Sequence, residues 1–186
     1  MSTEIVNLVN SLNGINSYLE LGVYDNSNFN RISASRKVGV DINGLATINC
    51  HTDEYFKKYL ERFDVIFIDA DHKLESVVKD FNNSVDICDK IIFLHDMVPP
   101  NEAYCADGYC SNSFNLLAHF LKNHITIYTL DRDVGITAIT KKDFQKISID
   151  DIEQLSFTEF RNIMSGVKLY TPIEMIDKLN EEITDV

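Results

Sequence analysis

The sequence has no apolar stretch that approaches the roughly 20 residues a membrane-spanning helix needs. It does not begin with basic residues followed by an apolar core, so we expect no secretory signal. Basic residues are scarce, with 17 Lys and Arg against 29 Asp and Glu and a formal net charge of −12. This balance argues against nucleic acid and anionic membrane surfaces as partners, because both attract clustered basic side chains. We therefore expect a cytoplasmic protein.

Cysteine is also sparse, and the four cysteines follow no zinc-binding spacing. We expect reduced thiols, as in cytosolic proteins, with a local Cys105–Cys110 bridge as the alternative. The chain lacks the G-x-G-x-x-G motif of dinucleotide-binding proteins and the G-x-x-x-x-G-K-[ST] motif of P-loop proteins. These absences argue against both classes of nucleotide site.

Two short apolar runs stop abruptly at acidic and histidine residues. The run from Phe63 to Ile68 leads into Asp69-Ala-Asp-His72, and the run at 90–94 leads into His95-Asp96. Such runs, rich in β-branched and aromatic residues, are typical of buried strands in parallel sheets. Ligand sites of open α/β sheets lie beyond the carboxyl ends of their strands. We therefore predict that the five polar side chains meet at one rim of a sheet.

The order of patterns along the chain predicts a doubly wound α/β fold that closes with an antiparallel hairpin. Residues 97–112 have little periodicity and are predicted to form a functional loop. The acidic segment 141–186 is predicted to be a helical extension of the domain formed by residues 1–140. The predicted strands are 18–22, 37–41, 46–49, 63–69, 90–95, 124–130 and 134–140, and the predicted helices before the extension are 3–13, 52–62, 74–88 and 113–123.

A glycine after the first predicted strand and an acid at the end of the second indicate a ribose-containing ligand. Gly22 lets the backbone approach a ligand closely, since it has no side chain. An aspartate at the position of Asp41 can accept hydrogen bonds from both hydroxyls of a ribose. The alternative is a turn glycine and a solvated acid without a ligand.

The polar residues at the fourth and fifth strand ends have the chemistry of a metal site with a base beside it. Carboxylates suit Mg²⁺, Mn²⁺ or Ca²⁺, and imidazoles suit transition ions. His72 titrates near neutral pH and is a candidate general base. The alternative is that these acids are solvated or cap the next helix, as Asp71 would do.

Five segments in order resemble class I S-adenosylmethionine-dependent methyltransferases. They are Tyr18-Leu-Glu-Leu-Gly22, Val38-Gly-Val-Asp41, Thr52-Asp-Glu-Tyr-Phe56, the segment 63–72 and Phe93-Leu-His-Asp-Met-Val-Pro-Pro100. The branch they resemble is that of the small metal-assisted O-methyltransferases, which includes catechol and macrolide-sugar enzymes. The match spans residues 17–140. The resemblance implies a three-layer, Rossmann-like α/β fold of seven strands with the last strand antiparallel.

The resemblance also implies methyl transfer from S-adenosyl-L-methionine to a hydroxyl of a small molecule or sugar. His72 would deprotonate the acceptor, together with Asp69 as the other catalytic residue. Mg²⁺ or another divalent metal would be held by Asp69, His95 and Asp96. The implied cofactor-binding residues are Glu20, Gly22, Tyr24, Asp41, Ile42, Thr52, Asp53 and Asp69.

The chain departs from the resemblance at two places. Many relatives carry a second glycine where this chain has Asn26, a residue that tolerates left-handed backbone better than most. Relatives of the catechol type have Asp-Asn where this chain has His95-Asp96, which leaves the metal and its identity open.

Two other functions fit part of the pattern. A metal-dependent glycosyltransferase would use Asp69-Ala-Asp71 as a D-x-D clamp, which explains the acids but not Gly22 with Asp41. A degenerate, non-catalytic cofactor-binding domain is the other alternative. Tyr104 and Tyr109 in the 97–112 loop are expected to shape a pocket for a sugar, glycan or phenol acceptor. The sequence leaves open whether the protein forms a homodimer.

Overall fold

Seven strands form one mixed sheet in the computed structural model, which describes residues 3–184. They are β1 (Ser17–Leu21), β2 (Arg36–Asp41), β3 (Ile48–Asn49), β4 (Phe63–Ile68), β5 (Cys88–Leu94), β6 (Tyr128–Thr129) and β7 (Thr137–Thr140). Their order across the sheet is β3-β2-β1-β4-β5-β7-β6. Strand β7 runs antiparallel to β5 and β6, and the other neighbours are parallel. The predicted sheet with its antiparallel last strand is confirmed.

Helices cover both faces of the sheet and complete the three layers. They are α1 (Glu4–Ser11), α2 (Thr52–Lys58), α3 (Leu74–Ile87), α4 (Phe114–Lys122), α5 (Phe157–Met164) and α6 (Pro172–Thr184). Buried side chains of α2, α3, α4 and α5 form the core on one face, and those of α1 and α6 form the core on the other. Within residues 3–184, no helix has the length and apolar character that crossing a membrane requires.

From Val65 to Ile68, strand β4 is a continuous apolar run because it is covered on both faces. Ile66 and Ile68 belong to the core beneath α3, whereas Val65 and Phe67 belong to the core beneath α1 and α6. Successive side chains of a strand point to opposite faces, so a strand covered on both faces is apolar at every position. The polar residues begin where this coverage ends, at Asp69.

Several elements are shorter than the sequence predicts. Helix α2 ends at Lys58, and Tyr59 already has an extended backbone. Strand β6 has only two residues, and Leu130 directly after it forms a parallel bridge with Tyr170. The extension begins with two short 3₁₀ turns, followed by two helices that irregular backbone separates. Its Phe160 and Met175 are buried on opposite faces of the sheet. All four cysteines are free thiols, as expected, without the alternative bridge.

Candidate active site

A cavity of about 640 Å³ opens at the carboxyl ends of β1, β2 and β4. It is lined by eight of the residues predicted from the sequence, namely Glu20, Gly22, Tyr24, Asp41, Ile42, Thr52, Asp69 and His72. Sequence reasoning did not include Asn28, Cys50 and His51, which also line it. Their positions follow from the turns after β1 and before α2, which carry no distinctive motif.

Asp53 is not part of the cavity lining, although Thr52 beside it is. Successive side chains of an α-helix point about 100° apart, so neighbouring residues of α2 face different directions. The carboxylate of Asp53 instead pairs with Lys79 on α3. The predicted metal residues His95 and Asp96 also lie outside the lining, and His95 contacts both Asp69 and Asp96.

Gly22 is required by the close approach of the chain after β4. Its φ is +89°, and a Cβ atom built on it would lie 2.5 Å from the carbonyl carbon of Asp69 and 2.7 Å from Cα of Ala70. The Gly22 N–H donates to Val40 O at 2.8 Å, and the Asp69 N–H donates to Leu21 O at 2.8 Å. These bonds hold the two loops together, so the bare backbone of Gly22 borders the cavity.

The turn after Gly22 uses left-handed backbone at residues other than glycine. Tyr24 has a φ of 47° and Asn26 a φ of 64°. The Asn26 side-chain amide also donates to Leu45 O at 2.8 Å, which ties this turn to the loop after β2. Asn26 therefore adopts the conformation for which glycine is usually needed.

Asp41 ends β2 with its carboxylate fixed at the edge of the cavity. One oxygen accepts the Tyr24 N–H at 2.9 Å, and the other accepts the Asn43 N–H at 3.0 Å. Each oxygen of a carboxylate has two lone pairs, so capacity remains for further donors. Beside it, the side chains of Tyr24 and Ile42 are 75% and 66% exposed. The cavity mouth thus combines a carboxylate that backbone N–H groups hold in place with exposed apolar surface.

Glu20 is almost completely buried, with 3% exposure, yet it lines the floor of the cavity. The Tyr18 hydroxyl donates to its carboxylate at 2.7 Å. Burial raises the pKa of Glu20 to about 8. The pKa of Tyr18 is also raised, mainly by burial. Sequence reasoning missed Tyr18, although residues two apart on a strand share a face.

Four side chains from the ends of β4 and β5 form a second feature, which we call the acid–imidazole cluster: Asp69, His72, His95 and Asp96. Nδ1 of His95 lies 3.0 Å from Asp69 and 3.3 Å from Asp96. His72 reaches the same two acids with different nitrogens, Nε2 to Asp69 at 3.4 Å and Nδ1 to Asp96 at 3.1 Å. Four of the five polar side chains predicted to meet at one rim thus contact one another. The fifth, Asp71, instead accepts the Ser76 hydroxyl of α3 at 2.7 Å.

The backbone holds Asp96 in an unusual conformation. Its φ is 57°, in the left-handed region that non-glycine residues seldom adopt. The Ser113 hydroxyl donates to the Asp96 carbonyl at 2.8 Å, and the His95 N–H donates to Ile68 O at 3.1 Å. These bonds to α4 and β4 turn the Asp96 carboxylate toward both histidines.

Mutual attraction sets the protonation of this cluster. Burial alone would lower the pKa of His95, but Asp69, Asp133 and Asp96 raise it well above its ordinary value. Burial likewise opposes the charged form of His72, and Asp69 and Asp96 outweigh it, so its pKa is raised. Burial would raise the pKa of Asp69, but the two histidines lower it. The two imidazoles therefore favour the ionised form of Asp69.

The residues of the cluster fit a divalent cation. Asp69, His72 and Asp96 each offer one ligand atom, and these atoms lie within 4.8 Å of one another. Two carboxylates with imidazole suit Mn²⁺ and other divalent ions. Nε2 of His72 and Nδ1 of His95 are buried without a hydrogen bond to any described residue. Such bare nitrogens are what ligation requires.

A second cavity of about 200 Å³ adjoins the first. It shares Ala70, Asp71 and His72 with the larger cavity, so His72 lies at the boundary between them. The remaining lining residues are Lys73, Asp107, Gly108 and Ser111. The 97–112 loop thus borders this space with polar groups. Tyr104 and Tyr109 are absent from the lining, although the Tyr109 carbonyl contacts Nδ1 of His72.

Comparisons with known proteins identify the fold. No family model matches the sequence, and none of the curated proteins matches it either. An O-methyltransferase from Bacillus cereus, solved in complex with SAH, aligns with 75% of this chain and 80% of its own at a TM-score of 0.53 and 15% identity. A methyltransferase from Podospora anserina, also SAH-bound, aligns with 72% of this chain and 75% of its own at a TM-score of 0.51 and 14% identity.

A spermidine synthase from Thermotoga maritima aligns over a greater length. It covers 99% of this chain and 74% of its own, at a TM-score of 0.55 and 13% identity. These likenesses show that the chain has the fold of S-adenosylmethionine-dependent methyltransferases, which this synthase shares. The resemblance inferred from the sequence motifs is confirmed at the level of the fold.

Proposed function

We propose that this protein is an S-adenosylmethionine-dependent O-methyltransferase that modifies a hydroxyl of a small molecule or glycan with the help of a divalent metal. One observation carries the proposal. The cavity brings Gly22, Asp41 and the Asp69–His72 segment together at the carboxyl ends of adjoining strands. In this fold, two similar structures were solved with SAH, the product form of the methyl donor.

The lining suggests how the cofactor lies in the larger cavity. Asp41 would accept hydrogen bonds from the ribose hydroxyls, for which its free lone pairs are available. The exposed side chains of Ile42 and Tyr24 would cover the adenine, since a flat ring gains from apolar contact. Glu20 would face the methionine part from the cavity floor. The cationic ammonium and sulfonium suit an acidic wall.

Bound S-adenosylmethionine supplies an electrophilic methyl, and a bound divalent cation lowers the pKa of a hydroxyl and fixes its position. The chain would contribute the rest. Asp69 and Asp96 would hold the cation, because their oxygens meet at the cluster. His72 would take the hydroxyl proton, since its ring borders both cavities. General base catalysis of this kind contributes about 10²–10⁴-fold.

Thermal unfolding with S-adenosylhomocysteine tests the cofactor assignment. At about 100 times Kd, a ligand stabilises the folded state by about 2.7 kcal/mol. For a chain of this size, each kcal/mol raises Tm by about 2–4 °C, so we expect a rise of about 5–11 °C. Asp41→Ala should abolish the rise. Asp150→Ala, which changes an exposed acid in the extension, should retain it.

The same assay separates the alternatives. A rise in Tm with uridine diphosphate and none with S-adenosylhomocysteine would favour the glycosyltransferase. No response to either ligand would favour a non-catalytic domain. Methyl transfer from radiolabelled S-adenosylmethionine to sugars and to catechols then tests the acceptor class.

A second candidate is transfer to an amine, as in polyamine formation. The Thermotoga maritima spermidine synthase aligns with 99% of this chain, whereas the Bacillus cereus O-methyltransferase aligns with 75%. Asp25, Asp69 and Asp71 line the larger cavity, and their charge suits a cationic amine. Chromatographic detection of spermidine made from putrescine and decarboxylated S-adenosylmethionine would favour this candidate over O-methylation.

A further inference from the structure

His95 is a second imidazole of the acid–imidazole cluster with the geometry of a metal ligand. A single nitrogen, Nδ1, faces both acids, at 3.0 Å from Asp69 and 3.3 Å from Asp96. That nitrogen is buried and has no hydrogen bond to a described residue. Its ring packs edge-on against Phe67, with the ring centroids 5.9 Å apart, so the ring is confined by the core. Nδ1 is therefore directed at the point between two carboxylates where a cation would bind.

The other nitrogen of His95 faces a third acid from a distant part of the chain. Nε2 lies 3.5 Å from Oδ1 of Asp133, whose side chain is only 9% exposed. In metal sites, a ligating histidine commonly donates its second N–H to a carboxylate, which fixes the tautomer and the ring orientation. Asp133 stands where that carboxylate would be, so Nε2 would carry the proton and Nδ1 would be bare.

The turn that carries Asp133 is strained and firmly held. Asp133, Val134 and Gly135 have φ values of 55°, 53° and 76°. A β-branched residue such as Val134 rarely adopts this region, and such strain persists only where the surroundings impose it. Here the Val98 N–H donates to Val134 O at 2.8 Å. A Cβ on Gly135 would lie 2.6 Å from Cβ of Val98, so the turn packs directly on the segment that follows Asp96.

His72 contacts the same acids in a different manner. It faces Asp69 with Nε2 and Asp96 with Nδ1, and Nδ1 also contacts the Tyr109 carbonyl. The shortest contacts of His72 with the two acids thus use two different nitrogens, whereas those of His95 use one. His72 also lines both cavities, whereas His95 lines neither. Its position suits contact with a substrate rather than permanent ligation.

We infer that Asp133 is a positioning residue that holds His95 as the nitrogen ligand of the divalent cation and leaves His72 free to act as the base. The inference rests on the metal-assisted reaction proposed above. An imidazole ligand favours a transition ion such as Mn²⁺, Fe²⁺ or Zn²⁺ over Mg²⁺, which prefers oxygen. The expected ligands are thus Nδ1 of His95 and the carboxylates of Asp69 and Asp96.

Mn²⁺ is the probe for the test, because electron paramagnetic resonance reports both its affinity and its nitrogen ligands. The full chain should bind Mn²⁺ more tightly than Mg²⁺ in competition. Pulsed spectra should contain one imidazole nitrogen coupling. We expect this coupling to disappear in His95→Gln and to persist in His72→Gln. A coupling that persists in His95→Gln, or that involves both histidines, would overturn the inference.

Asp133→Asn tests the positioning role, since asparagine tolerates the left-handed turn. Loss of the partner behind a ligand weakens metal binding about 10- to 100-fold. The matched control is Asp131→Asn in the same hairpin, where the acid pairs with Arg132 at 2.8 Å instead of with the cluster. Equal Mn²⁺ affinity in the two variants would overturn the role of Asp133.

S-adenosylhomocysteine binding in the same samples keeps the two proposals apart. If the unmodified chain gains Tm with S-adenosylhomocysteine but does not bind Mn²⁺, the inference fails and the transferase assignment stands. If it does not respond to S-adenosylhomocysteine, the transferase assignment fails. If Asp133→Asn does not fold, the two histidine variants still decide which imidazole binds the metal.

Discussion

Replacing Gly22 with alanine would place a methyl group inside the contact between the loops after β1 and β4. The new Cβ would lie 2.5 Å from the carbonyl carbon of Asp69 and 2.7 Å from Cα of Ala70, and both are backbone atoms. Neither can move by rotating a side chain, so the Asp69–Ala70 backbone must shift. We expect the variant to lose stability and to displace Asp69 from the cavity.

Two terms contribute to the loss of stability. A left-handed backbone with a side chain costs about 1–2 kcal/mol, and forcing packed groups apart costs about 1–3 kcal/mol. The sum of about 2–5 kcal/mol lowers Tm by about 4–20 °C for a chain of this size. S-adenosylhomocysteine should then no longer raise Tm, because the cavity wall has moved. Calorimetric melting with and without the ligand measures both effects.

Gly44→Ala is the matched control. Gly44 has a φ of +81°, close to the +89° of Gly22, but a Cβ there would meet no atom within 4 Å. Gly44→Ala therefore loses only the free energy that a left-handed backbone with a side chain costs, about 1–2 kcal/mol. This loss lowers Tm by about 2–8 °C. If Gly22→Ala and Gly44→Ala lower Tm equally, the left-handed backbone alone explains the loss of stability in Gly22→Ala, and the packing argument is wrong.

Three further substitutions have defined outcomes. Asp69→Asn keeps the shape of the side chain but removes a charge from the cluster, so titrations should show that Mn²⁺ binding is lost while S-adenosylhomocysteine binding persists. Burial raises the pKa of Glu20 from 4.5 to about 8. As pH rises from 4.5 to about 8, Glu20 loses its proton in the unfolded chain but keeps it in the folded chain, so the free energy of unfolding falls. Glu20→Gln should flatten the curve of Tm against pH in that window. Asn26 has a φ of 64°, so Asn26→Gly should keep S-adenosylhomocysteine binding and Asn26→Val should weaken it, as calorimetric titration would measure.

Strand prediction succeeded where burial on both faces dictates composition. The β4 and β5 segments are apolar at nearly every position because each face lies under helices. The strand ends are also predictable, since parallel strands place their carboxyl ends at one rim. Asp41 ends its strand, and Asp69 and His95 directly follow theirs. The doubly wound fold and the polar strand ends therefore follow from local patterns, whereas Glu20, Tyr24, Ile42 and Thr52 were assigned from the family resemblance.

Other parts of the site depend on contacts that local patterns do not encode. Asp53 and Thr52 are adjacent in sequence, but helix geometry turns only one of them toward the cavity. Helix α2 is predicted to run to residue 62, but its backbone is already extended at Tyr59. Asp133 contacts His95 only because a left-handed turn packs on Val98. No periodicity signals such a turn, and Val134 within it argues locally against that conformation.

Asp69 joins the two halves of the site through different parts of the same residue. Its carbonyl group packs against Gly22, and its N–H donates to Leu21 O at 2.8 Å. Its carboxylate lies 3.0 Å from Nδ1 of His95. The backbone thus shapes the cavity proposed for the cofactor, while the side chain belongs to the cluster proposed for the metal. A movement of this backbone would alter both sites, whereas a change confined to the carboxylate would alter only one. The contrast between Gly22→Ala and Asp69→Asn therefore separates cavity geometry from cluster charge.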